Sequence, residues 1–183
     1  MMKRIVGAAA VAASLTAVPA LAQDATGTVA IDGSVAERCL FTTPSATISV
    51  GELSKSGTDT NAGRLNPAKL NGEKRTLVGW CNGTASTIAV EAQPLLNTDF
   101  TGTAPSGFTR RIDYSATAGA NGASAADTST AAGAGQASNV GIFTGNVEVT
   151  LSSSATPNDS MLIAGAYAGQ VLVTLSPNVS FTQ

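Results

Sequence analysis

The stretch Leu77-Val78-Gly79-Trp80-Cys81-Asn82-Gly83-Thr84-Ala85-Ser86-Thr87-Ile88-Ala89-Val90-Glu91-Ala92 decides the fold. Leu77 to Cys81 reads as a strand, with Trp80 on the face opposite Cys81, because successive side chains of a strand point to opposite faces. Asn82-Gly83 is a turn signal. Ile88, Val90 and Ala92 then fall on one side of a second strand, alternating with Ala89 and Glu91. A helix would require apolar residues at a spacing of about 3.6, and that spacing does not persist here.

The same alternation recurs outward in both directions. Val29, Ile31 and Val35 share one face, with Gly33 among them. Ile48 and Val50 mark a short strand before Gly51. Arg111-Ile112-Asp113-Tyr114 alternates, and so do Val147, Val149 and Leu151 against Asn146, Glu148 and Thr150. Val171, Val173 and Leu175 share a face, with Thr174 outward, and Val179 with Phe181 reads as a final short strand. About seven or eight short antiparallel strands separated by Asn71-Gly72, Asn82-Gly83 and Pro157-Asn158 predict an all-β, immunoglobulin-like sandwich. Residues 54–74 are polar and turn-rich and read as a long connection with one helical turn near Ala68. Residues 115–138 hold no Val, Ile, Leu, Met or aromatic residue and are Ala, Gly, Ser and Thr almost throughout. Such a segment buries little apolar surface against its ordering entropy. It is expected to be an exposed, mobile loop: a tolerated insertion, or an outer surface that contacts a partner.

Residues 1–22 stand apart. Lys3 and Arg4 precede an apolar, Ala-rich run from Ile5 to Val18, and Ala20-Leu21-Ala22 is a small-x-small cleavage signal. That is the layout of a secretory signal peptide, and the run is short for a membrane span. Its removal leaves roughly 160 residues, which suits one domain over 23–183. The whole chain carries a formal net charge of −2, and the signal takes two cations and no acid with it. A mildly acidic chain with scattered Lys and Arg is a poor ligand for nucleic acid. No second apolar run follows that could span a membrane.

Cys39 and Cys81 are the two cysteines. In an oxidising compartment an isolated pair reads as a disulfide, the alternative being two buried free thiols. Closing that loop would stabilise the fold by about 4 kcal/mol.

The search for catalytic chemistry returns little. The chain has no histidine, which excludes Ser-His-Asp and Cys-His arrangements and His-bearing zinc sites. Gly133-Ala134-Gly135 lacks the following glycine of a dinucleotide fingerprint. Asp59-Thr60-Asn61-Ala62-Gly63 places oxygens at alternate positions but has no closing acid for calcium. Glu91, Asp99, Asp113 and Glu148 are the carboxylates that a glycosidase-like pair would draw on. Three of them alternate with apolar neighbours and read as solvated strand faces. Trp80 reads as a packing residue against the disulfide, with sugar stacking as the functional alternative. Asn82-Gly83-Thr84 matches a glycosylation acceptor and is also a natural turn. No catalytic, cofactor-binding or metal-ligating residue is assigned, and no cofactor is implied.

Three segments together resemble one family. Gly27-Thr28-Val29-Ala30-Ile31-Asp32-Gly33-Ser34-Val35, ahead of Cys39, resembles the start of mature chaperone–usher pilins. Val78-Gly79-Trp80-Cys81-Asn82-Gly83 followed by Ile88-Ala89-Val90 is similar to their second-cysteine strand and to the spore-coat-U-like branch. Ala164-Gly165-Ala166-Tyr167-Ala168-Gly169-Gln170-Val171-Leu172-Val173-Thr174-Leu175 resembles the late strand of that branch, with Tyr167, Val171, Val173 and Leu175 as its core side. Ile48-Ser49-Val50-Gly51 is similar to a Phe-Gly turn, with Val for Phe. The resemblance implies an exported pilus-like, fimbrial or surface-coat subunit, structural or adhesive. It would be a sandwich lacking its last strand, completed first by a periplasmic chaperone and then by a strand from a like subunit, delivered at an outer-membrane usher. Only Gln23 to Thr26 lie between the predicted cleavage site and Gly27. Val29, Ile31, Gly33 and Val35 are therefore either the donated strand or the domain's own first strand. A tip, terminating or freestanding form stays open, as do a secreted glycan- or matrix-binding module and, third, a carboxylate-dependent hydrolase.

Overall fold

The computed structural model describes residues 24–177. The predicted signal peptide and the Val179–Phe181 strand lie outside those residues. The chain divides into two units, Met1–Ser34 and Val35–Gln183. In the first, residues 24–34 form no strand, and Val29 and Ile31 are 86% and 92% exposed. The second unit carries all the described strands. They are β1 (Cys39–Thr43), β2 (Lys74–Cys81), β3 (Thr87–Ala92), β4 (Leu95–Asn97), β5 (Phe108–Thr109) and β6 (Arg111–Ala120), then β7 (Ala123–Thr128), β8 (Ser138–Asn139), β9 (Phe143–Ala155), β10 (Met161–Leu162), β11 (Tyr167–Ala168) and β12 (Val171–Ser176).

The predicted all-β architecture holds, with more strands than the alternation suggests: several have two residues, while β6 and β9 run to 10 and 13. One sheet runs β1-β2-β9-β6-β4-β11, with β7 also on β6, and a second runs β12-β3-β8. Pairing within both is antiparallel, while the short β5 and β10 pair in parallel. The two sheets bury one core in which Ile88, Val90 and Ala92 of β3 meet Ile112 and Tyr114 of β6 and Val147, Val149 and Leu151 of β9. All eight are inward members of an alternating strand, so period two alone places them. At Gly79 the layers come too close for a side chain: a Cβ there would lie 3.0 Å from the Leu40 carbonyl oxygen and 3.1 Å from Leu175 Cδ1. The helical turn near Ala68 is a 3-10 turn over Pro67–Lys69, inside the expected 54–74 connection. The disulfide forms between Cys39 and Cys81, directly opposite each other on β1 and β2.

Three expectations are corrected. Residues 115–138 are not one mobile loop: 115–120 and 123–128 form most of a β6–β7 hairpin. Asn121 (φ 50°) and Gly122 (φ 77°) make its two-residue turn, the left-handed pair that hairpins favour. β6 forms ladders with β9 on one edge and β7 on the other, and Ala116, Ala118, Ala120 and Ala125 are buried inward. Backbone pairing on two edges carries a segment whose side chains are too small to do so. Ile48 and Val50 form no strand, because β1 ends at a register shift and Pro44 has no N–H for a ladder. Residues 29–35 form no first strand of the sandwich. Without a ladder partner, the alternation of their side chains does not by itself make a strand.

Candidate functional site

β12 is the end strand of its sheet. It pairs with β3 through six consecutive residues, Val171 opposite Ala92 to Ser176 opposite Thr87. Among the described residues no strand pairs with its other edge. In an antiparallel ladder alternate residues turn their N–H and C=O groups to the same side. About half of the β12 residues therefore present unpaired groups to the open edge. Val171, Val173 and Leu175 face the core yet are only half-buried, and Leu172 is 42% exposed. The predicted late-strand core is assembled, with Tyr167, Val171, Val173 and Leu175 packed half-buried against the main core.

Beside this edge lies a groove of about 1020 Å³. One wall is the run from Leu162 to Val173, the other is the run from Pro44 to Ser54, and Leu77, Leu95, Val149 and Leu151 line it between them. It is thus a trough of mixed polar and apolar lining between the segment that follows β1 and the run from β10 into β12. That is where one further strand would close the layers.

Polar anchors hold the first wall in place. Asn97 is buried, and its amide nitrogen donates to the carbonyls of Ile163 (3.0 Å) and Ala164 (3.2 Å). Its oxygen accepts from the backbone N–H groups of Asp99 (2.9 Å) and Phe100 (2.8 Å). Asp99 in turn accepts from Ala166 N at 2.8 Å. The Tyr167 hydroxyl donates back to Ile163 O at 2.8 Å. Tyr114, also lining the groove, has its hydroxyl 2.6 Å from Gln93 O and 3.0 Å from Gln170 O. Burial pushes the Tyr114 hydroxyl up to about 12, because charging it would place an anion in the core. Asn97 and Tyr114 carry no motif. Alternation marks Tyr114 as inward, but nothing in the sequence shows which carbonyls it reaches.

The remaining singled-out residues are dispersed. Asp113 is held by the Arg111 guanidinium (2.9 Å from Nε) and by Ser129 Oγ (3.0 Å). The neighbouring carboxylate raises the Arg111 pKa. Glu148 pairs with Lys74 at 2.8 Å across strands, and Glu91 accepts from the Gln93 amide at 3.3 Å. Each of the four carboxylates has its own hydrogen-bond partner. Among the described residues no three His, Cys, Asp or Glu side chains stand together as metal ligands. Asp59 caps its own turn through Asn61 N (2.8 Å). Asn82 clips the chain entering β1: its oxygen accepts from Arg38 N and its nitrogen donates to Ala36 O (3.0 Å). Trp80 lies opposite Leu40 and Thr144 in its sheet and is partly buried.

No helix among the described residues is long and apolar enough to cross a membrane. These features define a disulfide-linked, all-β, sandwich-like fold in which one edge of β12 has no strand partner among the described residues. No protein-family model matches the chain, nor does any curated protein or solved structure.

Proposed function

We propose that this chain is an exported structural subunit of a pilus-like or surface-coat assembly, joined to like subunits by β-strand addition. The carrying observation is the edge of β12, unpaired among the described residues, beside a groove that Leu77, Leu95, Val149 and Leu151 help to line. An extended segment laid there would gain main-chain hydrogen bonds from β12 and set alternate side chains into the trough. Gly27–Val35 has the matching pattern: Val29, Ile31 and Val35 are apolar, lie in no strand and are exposed. Exposed apolar residues in regular alternation favour a partner surface. The family resemblance adds a periodic sequence of partners, chaperone, usher and then like subunit, and export to the cell surface.

The test is assembly of the full chain. Wild-type protein should form multimers that survive detergent and part on heating. Val29→Asp with Ile31→Asp alters only exposed side chains, so the variant should fold and yet remain monomeric. A wild-type chain that stays monomeric at high concentration and ignores a synthetic peptide of residues 24–36 would sink the proposal. A second reading, a glycan- or matrix-binding module, is favoured by one observation, the partly buried Trp80 opposite the 56% exposed Leu40.

A further inference from the structure

The second wall of the groove is unusual. Pro44–Leu53 forms no ladder, yet its inward residues are apolar: Ile48, Val50 and Leu53 are half-buried against the core. Among the described residues none of the backbone N–H groups from 45 to 52 donates a hydrogen bond within the protein. One tie from β2 holds the segment, the Arg75 Nε donating to Thr47 O at 2.6 Å. β2 itself is short of a partner in the same place. Its ladder with β1 stops at Thr43 opposite Val78, whereas its ladder with β9 continues to Lys74. Among the described residues the β2 edge over Lys74–Leu77 is therefore open, and the Pro44–Leu53 segment, which forms no ladder, is tied to it through Arg75.

We infer that Pro44–Val50 is a hinged wall that zips onto the Lys74–Leu77 edge of β2 when the groove is filled. Continuing the register past Thr43 and Val78 sets Pro44, which donates no ladder bond, opposite Leu77, and then Ala46 opposite Arg75 and Thr47 opposite Lys74. Arg75 already reaches Thr47, one residue from that register. Opposed residues share a face, so Ala46 and Ile48 would turn inward with Leu77. Over an empty groove this pairing orders several residues while Ile48 and Val50 gain few contacts, so the wall stays unzipped. An occupant supplies the missing apolar contacts and shifts the balance toward the zipped state. Occupancy would thus complete two edges at once, that of β12 directly and that of β2 through the wall. This inference rests on the strand-addition reading.

The test is amide hydrogen exchange of the full chain, with and without excess synthetic peptide of residues 24–36. Binding is followed separately by the fluorescence anisotropy of labelled peptide. Amides 45–50 should exchange rapidly in the free chain and at least tenfold more slowly with peptide bound. The variant Ile48→Ser with Val50→Ser, checked by circular dichroism for an intact sheet signal, should bind the peptide about tenfold more weakly. Peptide that binds without slowing amides 45–50 overturns the hinged wall and leaves strand addition standing. Slow exchange in the free chain, or unchanged affinity in the variant, also overturns it. A peptide that does not bind at all removes both readings together.

Discussion

Opening the Cys39–Cys81 bond should weaken this fold more than any single ladder contact could. The two cysteines are 42 positions apart in sequence, so the bond closes a loop of about that length. In the chain-entropy account that closure is worth about 4 kcal/mol. For a chain of this size each kcal/mol corresponds to roughly 2–4 °C, so the melting temperature should fall by roughly 8–16 °C. The structure adds where the loss is felt. β1 is an end strand, paired only with β2 and only from Cys39 to Thr43. Leu40 is exposed, leaving Phe41 and Cys39 as its half-buried anchors. Once the bond is opened, β1 and the Asn82 clip should fray before the β6–β9 centre does. The assay is thermal unfolding of the full chain with and without reductant, alongside Cys39→Ala with Cys81→Ala. A shift below about 3 °C in both would refute the reasoning. It would mean that packing alone seats β1 and that the loop is already restricted in the unfolded chain.

Two other outcomes follow from the core. Tyr114→Phe should cost about 1 kcal/mol near neutral pH through its lost carbonyl contacts. Because the folded pKa is raised from about 10 to about 12, the stability linked to the neutral hydroxyl is complete below pH 10. It is lost as pH rises from 10 to 12, so the variant should show a flatter alkaline decline in urea midpoints than the wild type. Ala118→Leu inserts bulk at a position with no exposure, between two ladders of β6. It should destabilise by about 1–3 kcal/mol, and a wild-type urea midpoint would disprove the close packing of the Ala-rich hairpin.

Much of this arrangement was legible in residue spacing. The inward residues of β3, β6, β9 and β12 all follow from period-two alternation, because strand geometry ties a side chain's face to its position along the chain. The cysteine pairing was readable for a different reason, since an isolated pair has only one intramolecular partner to choose. The Ala-rich hairpin was misread because low apolar content was weighed and the Asn121-Gly122 turn was not. Composition measures side-chain burial, whereas that hairpin is carried by backbone ladders on both edges.

By itself, then, the sequence determined the all-β character, the core-facing residues of the long strands and the cysteine pair. All three depend on local periodicity or on a count. Tertiary structure alone decided which strands end the sheets, that β12 keeps an open edge, and that Pro44–Leu53 lines a groove instead of extending β1. It also decided that Asn97 and Tyr114 hold the loops around that groove. An alternating segment looks the same whether its ladder partner is present or missing, because pairing joins residues far apart in the chain. Val171, Val173 and Leu175 show the inward pattern of any core strand, and only the assembled sheets reveal that no described strand pairs with the far edge of theirs.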